Sequence, residues 1–138
     1  MKRILIAPIL LAYATTLVVF LGMDFVWLTQ MTPRLYQPDL GALMAARPNL
    51  IAAAVFYPAF IVGLVVFAIM PALERRSWLR ATSLSALFGV LAYGTYDLTN
   101  LATLRGFTLR LTIADMVWGA VVSALAATAG YLAAVRVS

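Results

Sequence analysis

What chemistry the chain offers rests on three carboxylates. Asp24, Asp97 and Asp115 are three of its five acidic residues, and each falls in or at the end of an apolar stretch. Ionisable residues inside a bilayer are costly and mark candidate sites. Around Asp97 lies the densest polar run, Tyr93-Gly94-Thr95-Tyr96-Asp97-Leu98-Thr99-Asn100. In it Tyr93, Tyr96, Asp97 and Asn100 recur at the three- and four-residue spacing of one helix face. Trp118 stands near Asp115, and Arg105 and Arg110 lie between Asp97 and Asp115. Tyr93, Tyr96 and Trp118 can form an aromatic wall, with Asp24, Asp97, Asn100 and Asp115 as polar contacts. Arg105 and Arg110 can hold a phosphate or carboxylate head group by bidentate bonds. That set suits a lipid or small amphipathic ligand. Paired carboxylates sharing a proton in low dielectric suit a proton- or cation-coupled transporter or channel, acting as a homodimer. A pair acting as acid and base suits a lipid-modifying enzyme.

The absences rank these readings. With no His and no Cys, imidazole and thiolate chemistry, disulfides and the commonest metal ligands are removed. No Ser sits in a Gly-x-Ser-x-Gly turn, and no cofactor motif is present. The enzyme reading therefore comes third, and neither a metal nor a cofactor is expected. Transport comes second, because the carboxylates lie toward one surface rather than at the midplane that carriers use. Binding comes first.

The elements that must position these residues follow from composition. Of 138 residues, 64% are hydrophobic and 11% charged, against about 45–50% and about 25% in soluble domains. So short a chain has too little interior to hide that much apolar surface, so it belongs in a membrane. The net charge of +5 comes from ten basic and five acidic residues, too few for a nucleic-acid groove. A bilayer core takes roughly 20 apolar helical residues. Four stretches supply them: Ile4 to Leu28, Leu50 to Met70, Ala81 to Leu104 and Leu111 to Val135. The expected fold is an all-α integral membrane four-helix bundle, one four-span domain over residues 1–138. Lys2-Arg3 followed by Ala12-Tyr13-Ala14 imitates a signal peptide, but the apolar run continues past Phe20 and favours an uncleaved span.

Lys2, Arg3, Arg75, Arg76, Arg80 and Arg136 flank one side of the four spans, and Arg34, Arg47, Arg105 and Arg110 the other. Six against four places both termini in the cytoplasm, which a reporter fused after Ser138 would read. Trp27, Trp78 and Trp118 fall near span ends, where interfacial anchors belong. In the long connection, Pro38 to Met44 reads either as a plain ordered loop or as a short helix with Leu40, Leu43 and Met44 toward the membrane surface. Pro58 is expected to kink the second span by freeing the carbonyl of Ala54.

Helical rise sets the depth of the acids. At about 1.5 Å per residue, Asp24 is roughly 30 Å from Ile4 and Asp97 roughly 25 Å from Arg80. Asp115 lies in the first two turns of a span running the opposite way, so all three share the outer level. Gly89, Ser85 and Thr82 continue the third span's polar seam, and Asp115, Gly119, Ser123, Ala126 and Gly130 form another in the fourth. Small residues at this spacing let helices approach closely in lipid, so the seams are expected to meet. A purely structural reading also fits: carboxylates near helix ends can pair with Arg105 or Arg110, and Asp115 can sit at its helix N-terminus.

The run Tyr96-Asp97-Leu98-Thr99-Asn100-Leu101-Ala102-Thr103-Leu104-Arg105-Gly106-Phe107 resembles the signature of the domain of unknown function 2177 family. Asp24-Phe25-Val26-Trp27-Leu28, Phe56-Tyr57 and Asp115-Met116-Val117-Trp118-Gly119 fit the same pattern. The resemblance covers nearly the whole chain. It implies four spans and a bacterial inner membrane, and it supplies no activity.

Overall fold

The computed structural model describes residues 6–138, all-helical apart from short turns and connections. Lys2, Arg3 and the expected start of the first span at Ile4 lie outside the described residues. Four long helices form the bundle: α1 (Ile6–Met31), α2 (Leu50–Arg75), α3 (Trp78–Thr103) and α4 (Leu109–Val135). Those labelled α1, α2 and α4 are long and apolar enough to cross a membrane, the first running on in helical form to Leu43. The α3 helix has the length, but its polar run dilutes its apolar content.

Side-chain caps begin three of the helices. Asn49 accepts from the Ala52 amide at 3.1 Å, Ser77 from Arg80 at 3.1 Å and Thr108 from Leu111 at 3.0 Å, each satisfying a donor the helix itself cannot. Arg76 ends α2 in the left-handed conformation at φ 49°. Gly106, at φ 86°, turns the chain from α3 into α4, where an L side chain would be strained.

The central helix is α4, packed between α1 and α3. The small-residue seams meet as expected. A Cβ at Gly89 would collide with the Gly119 carbonyl and the Ser123 side chain, and one at Gly130 with Thr16. Thr16 and Ser123 are buried without a conventional hydrogen-bond partner. Each hydroxyl lies against a glycine instead, the close backbone contact that holds helices together in lipid. Thr82 and Thr128 bridge α3 and α4 at 2.6 Å. Gly63 makes room for the Phe88 ring, whose Cζ is 2.6 Å from the site of a Cβ.

Prolines shape the rest. Helix α2 runs unbroken through Pro58; its irregularity is a π-helical turn at Val65–Ile69, just before Pro71. A second such turn, Thr32–Tyr36, stands just before Pro38. In both, an amide bonds five residues back, Met70 to Val65 and Gln37 to Thr32. The wider turn makes room for a proline ring that would clash with the carbonyl four residues earlier. Pro33 therefore does not end the first helix.

The connection also differs from its expected place on the membrane surface. Leu35 is buried with Phe107 and Leu111, and Leu40 packs against them, while Leu43 is exposed. The segment folds back over the end of the bundle remote from both termini, because its apolar residues find partners there. The C-terminal half of α2 is packed on the bundle through Leu64, Val65, Ala68, Ile69 and Ala72. Its N-terminal half, from Leu50 to Ala59, is exposed apart from the half-buried Ala53 and Tyr57. That half stands away from its neighbours and leaves a hollow.

Candidate functional site

At the end remote from the termini, a cavity of about 360 Å³ is lined by residues of all four helices and the connection. Asp24 and Leu28 come from α1, Tyr36 from the connection, Phe56 and Tyr57 from α2. Ala92, Tyr93 and Tyr96 come from α3, and Asp115 and Trp118 from α4. Gly119 makes the Tyr93 position available, since a Cβ there would strike the ring. The exposed rim residues are Leu28 at 40%, Phe56 at 46% and Tyr96 at 55%. The mouth is thus apolar and aromatic.

Two hydrogen-bonded clusters hold the acids. Asp24, nearly buried, accepts from the Tyr57 hydroxyl at Oδ2 and from the Trp118 indole at Oδ1, 3.0 Å away. Both of its oxygens act as acceptors. The Trp27 indole donates to the Tyr36 oxygen at 2.8 Å. An indole N–H can only donate, so the Tyr36 proton is free to point at Asp115 Oδ1, 2.5 Å away. The rings of Trp27 and Trp118 stack at 4.5 Å, 4° from parallel, and tie the two clusters together. Behind this pair a second, apolar hollow of about 390 Å³ is lined by Gly22, Met23 and Val26 among others.

Asp97 lies beside the Asp115 carboxyl. It is 0% exposed, and neither of its oxygens has a hydrogen-bond partner. A buried carboxyl beside another is satisfied when one of the two carries a proton and donates it to the other.

Of the residues singled out in the sequence, Asp24, Tyr93, Tyr96, Asp115 and Trp118 line one cavity, and Asp97 backs it. Asn100 stands beside Tyr96, off the cavity wall. The two arginines are elsewhere. Arg105 is exposed in the turn after α3, and Arg110 Nε pairs with Asp39 Oδ2 at 3.6 Å. Arg110 also donates to the Arg34 carbonyl at 2.6 Å, the group that Pro38, four residues on, cannot bond. Neither arginine pairs with Asp97 or Asp115, contrary to the structural reading of those acids. Thr108 completes the fastening of the connection, donating to Asp39 at 2.6 Å.

Reasoning from sequence missed Tyr36, Tyr57 and Trp27 as members of the clusters. Tyr57 carried a signal, since it stands three residues before Phe60, the first buried residue of α2. Tyr36 carried none, lying 79 residues from its partner. Trp27 and Trp118, expected as interfacial anchors, form a half-buried stack between α1 and α4. The tryptophan facing outward is Trp78.

A four-helix membrane bundle with an acid- and aromatic-lined hollow at one end is the class of protein defined here. Residues 9–132 match the family model described as Predicted membrane protein (DUF2177), and the chain belongs to that family. Comparison with curated proteins and with solved structures returned no match.

Proposed function

We infer that the protein binds a lipid or small amphipathic molecule in the cavity among Asp24, Tyr57, Tyr93, Asp115 and Trp118. The observation that carries this reading is the combination of a hollow of about 360 Å³ with a rim of Leu28, Phe56 and Tyr96. Ligand sites are concave and mostly apolar with a few placed polar groups, and usually measure about 300–1,000 Å³. Entry past such a rim is from the bilayer, because an apolar chain can cross it without leaving an apolar medium.

The same reading takes all four helices as spans, with α3 crossing by virtue of its packed, small-residue face against α4. It takes residues 1–138 as one domain, both termini as cytoplasmic and the cavity as lying at the outer level of a bacterial inner membrane. Transport is disfavoured by the packing beneath the cavity, where Phe20, Phe60, Ile61, Leu64 and Val122 fill the core. Binding does not need a cofactor, a metal or a second copy of the chain.

Filling the cavity tests the reading without touching a charge. Ala92 lines the hollow, and Ala92→Trp places an indole in it. Native mass spectrometry of protein released from lipid nanodiscs should show a retained amphiphile on the wild type. Occupancy should fall at least tenfold in Ala92→Trp. Equal adducts on both proteins would mean that bound lipid lies elsewhere, on the outer surface.

A further inference from the structure

The reading above leaves the chemistry of the head group open, and the lining speaks to it. Two carboxylates face the cavity, and among the described residues no Lys or Arg lines it. Arg110, in the first turn of α4, is held by Asp39 and the Arg34 carbonyl. In a low-dielectric site these acids repel an anion and attract a cation far more strongly than in water.

The donors point the same way. The hydroxyl of Tyr57 and the indole of Trp118 are directed at Asp24, and Tyr36 bridges Trp27 and Asp115. An anionic head would have to break these bonds. The rings of Tyr57, Tyr93 and Trp118 line the hollow, and a ring face attracts a cation placed over it. Among the described residues no three acidic side chains converge closely enough to hold a metal ion, so the matching cation is organic.

We propose that the cavity binds the ammonium head of an amphiphile, seated between Asp24 and Asp115 against the rings of Tyr57, Tyr93 and Trp118. The proposal rests on the amphiphile-binding reading and specifies its ligand. The apolar chain leaves past Leu28 and Phe56 into the bilayer. The ammonium can belong to a free amphiphilic amine or to a phospholipid head group, and the chemistry recognised is the same.

Amphiphiles of one chain length separate the cases. Wild-type protein in nanodiscs is titrated with dodecyltrimethylammonium, dodecylphosphocholine, dodecyl maltoside and dodecanoate, with Ala92→Trp as the blank for partition into the bilayer. Dodecyltrimethylammonium should bind at least tenfold tighter than the maltoside, and dodecanoate should not compete with it. Dodecylphosphocholine matching the trimethylammonium identifies a phospholipid source; weaker binding identifies a free amine. Asp115→Asn keeps an oxygen for the Tyr36 hydroxyl and removes the charge, so it should abolish the preference in a folded protein. Tyr93→Leu, which removes a ring face at constant charge, should weaken trimethylammonium binding and leave maltoside binding unchanged. Maltoside or dodecanoate binding as tightly as the ammonium overturns the cation assignment and leaves the amphiphile reading intact. No difference between wild type and Ala92→Trp for any of the four overturns both.

Discussion

Gly89→Leu is expected to lower the melting temperature in detergent by about 10 °C or more, while Gly22→Leu leaves it unchanged. At Gly89 a Cβ meets the carbonyl oxygen of Gly119 and the Ser123 side chain. A side-chain rotamer change would relieve the second contact but not the first, since the carbonyl belongs to the backbone of α4. The two helices must separate, and with them the packing that holds helices together where no hydrophobic effect operates. Overpacking a core costs typically about 1–3 kcal/mol, and more when the obstacle is rigid. Against a total stability of about 5–15 kcal/mol that is a large share. A Cβ at Gly22 meets nothing within 4 Å, so leucine there faces open space. Equal melting of the two variants would turn the α3 seam toward lipid and refute the packing described.

Asp24→Leu should be the most damaging single change in the cavity wall. Asp24 accepts from Tyr57 on α2 and Trp118 on α4, so it joins three helices through two bonds. Removing the acceptor strands both donors, at about 1–3 kcal/mol each where water cannot replace it. Trp118 is partly accessible, so about 2–4 kcal/mol is expected for the pair. Removing the Tyr57 hydroxyl as well should restore part of the loss, because two apolar groups in contact leave nothing unsatisfied. Thermal melts of Asp24→Leu, Tyr57→Phe and the double variant measure this. Coupling above about 0.5 kcal/mol is the expected result. Strict additivity would show that the hydroxyl does not serve Asp24.

Much of this was legible in the sequence, for reasons that also mark where legibility ends. Long apolar runs identify helices because lipid leaves the backbone no other way to satisfy its polar groups. Helical rise alone brought Asp24, Asp97 and Asp115 to one level, and the Gly89, Gly119 and Ser123 seam followed from periodicity. Partners across the bundle follow no such rule. Tyr36 reaches Asp115 only because a π-helical turn before Pro38 carries the connection back over the bundle end. Trp27 and Trp118 read as anchors because distance from a helix end was visible and ring stacking was not. The arginines were placed by nearness along the chain. Arg110 precedes Asp115 by five residues, which at about 3.6 residues per turn puts it well round the helix from that carboxyl. Helix phase would have separated them before nearness joined them.

The central claim is that the hollow among Asp24, Tyr93, Asp115 and Trp118 holds an amphiphile. Its most direct test is an experimental structure of the protein in lipid nanodiscs, prepared without added detergent. The account predicts one elongated density with its polar end between the Asp24 and Asp115 carboxyls, its chain leaving past Leu28 and Phe56. A cavity closed by inward rotation of Tyr57 and Tyr93, with lipid density confined to the outer faces of α1 and α2, would contradict it.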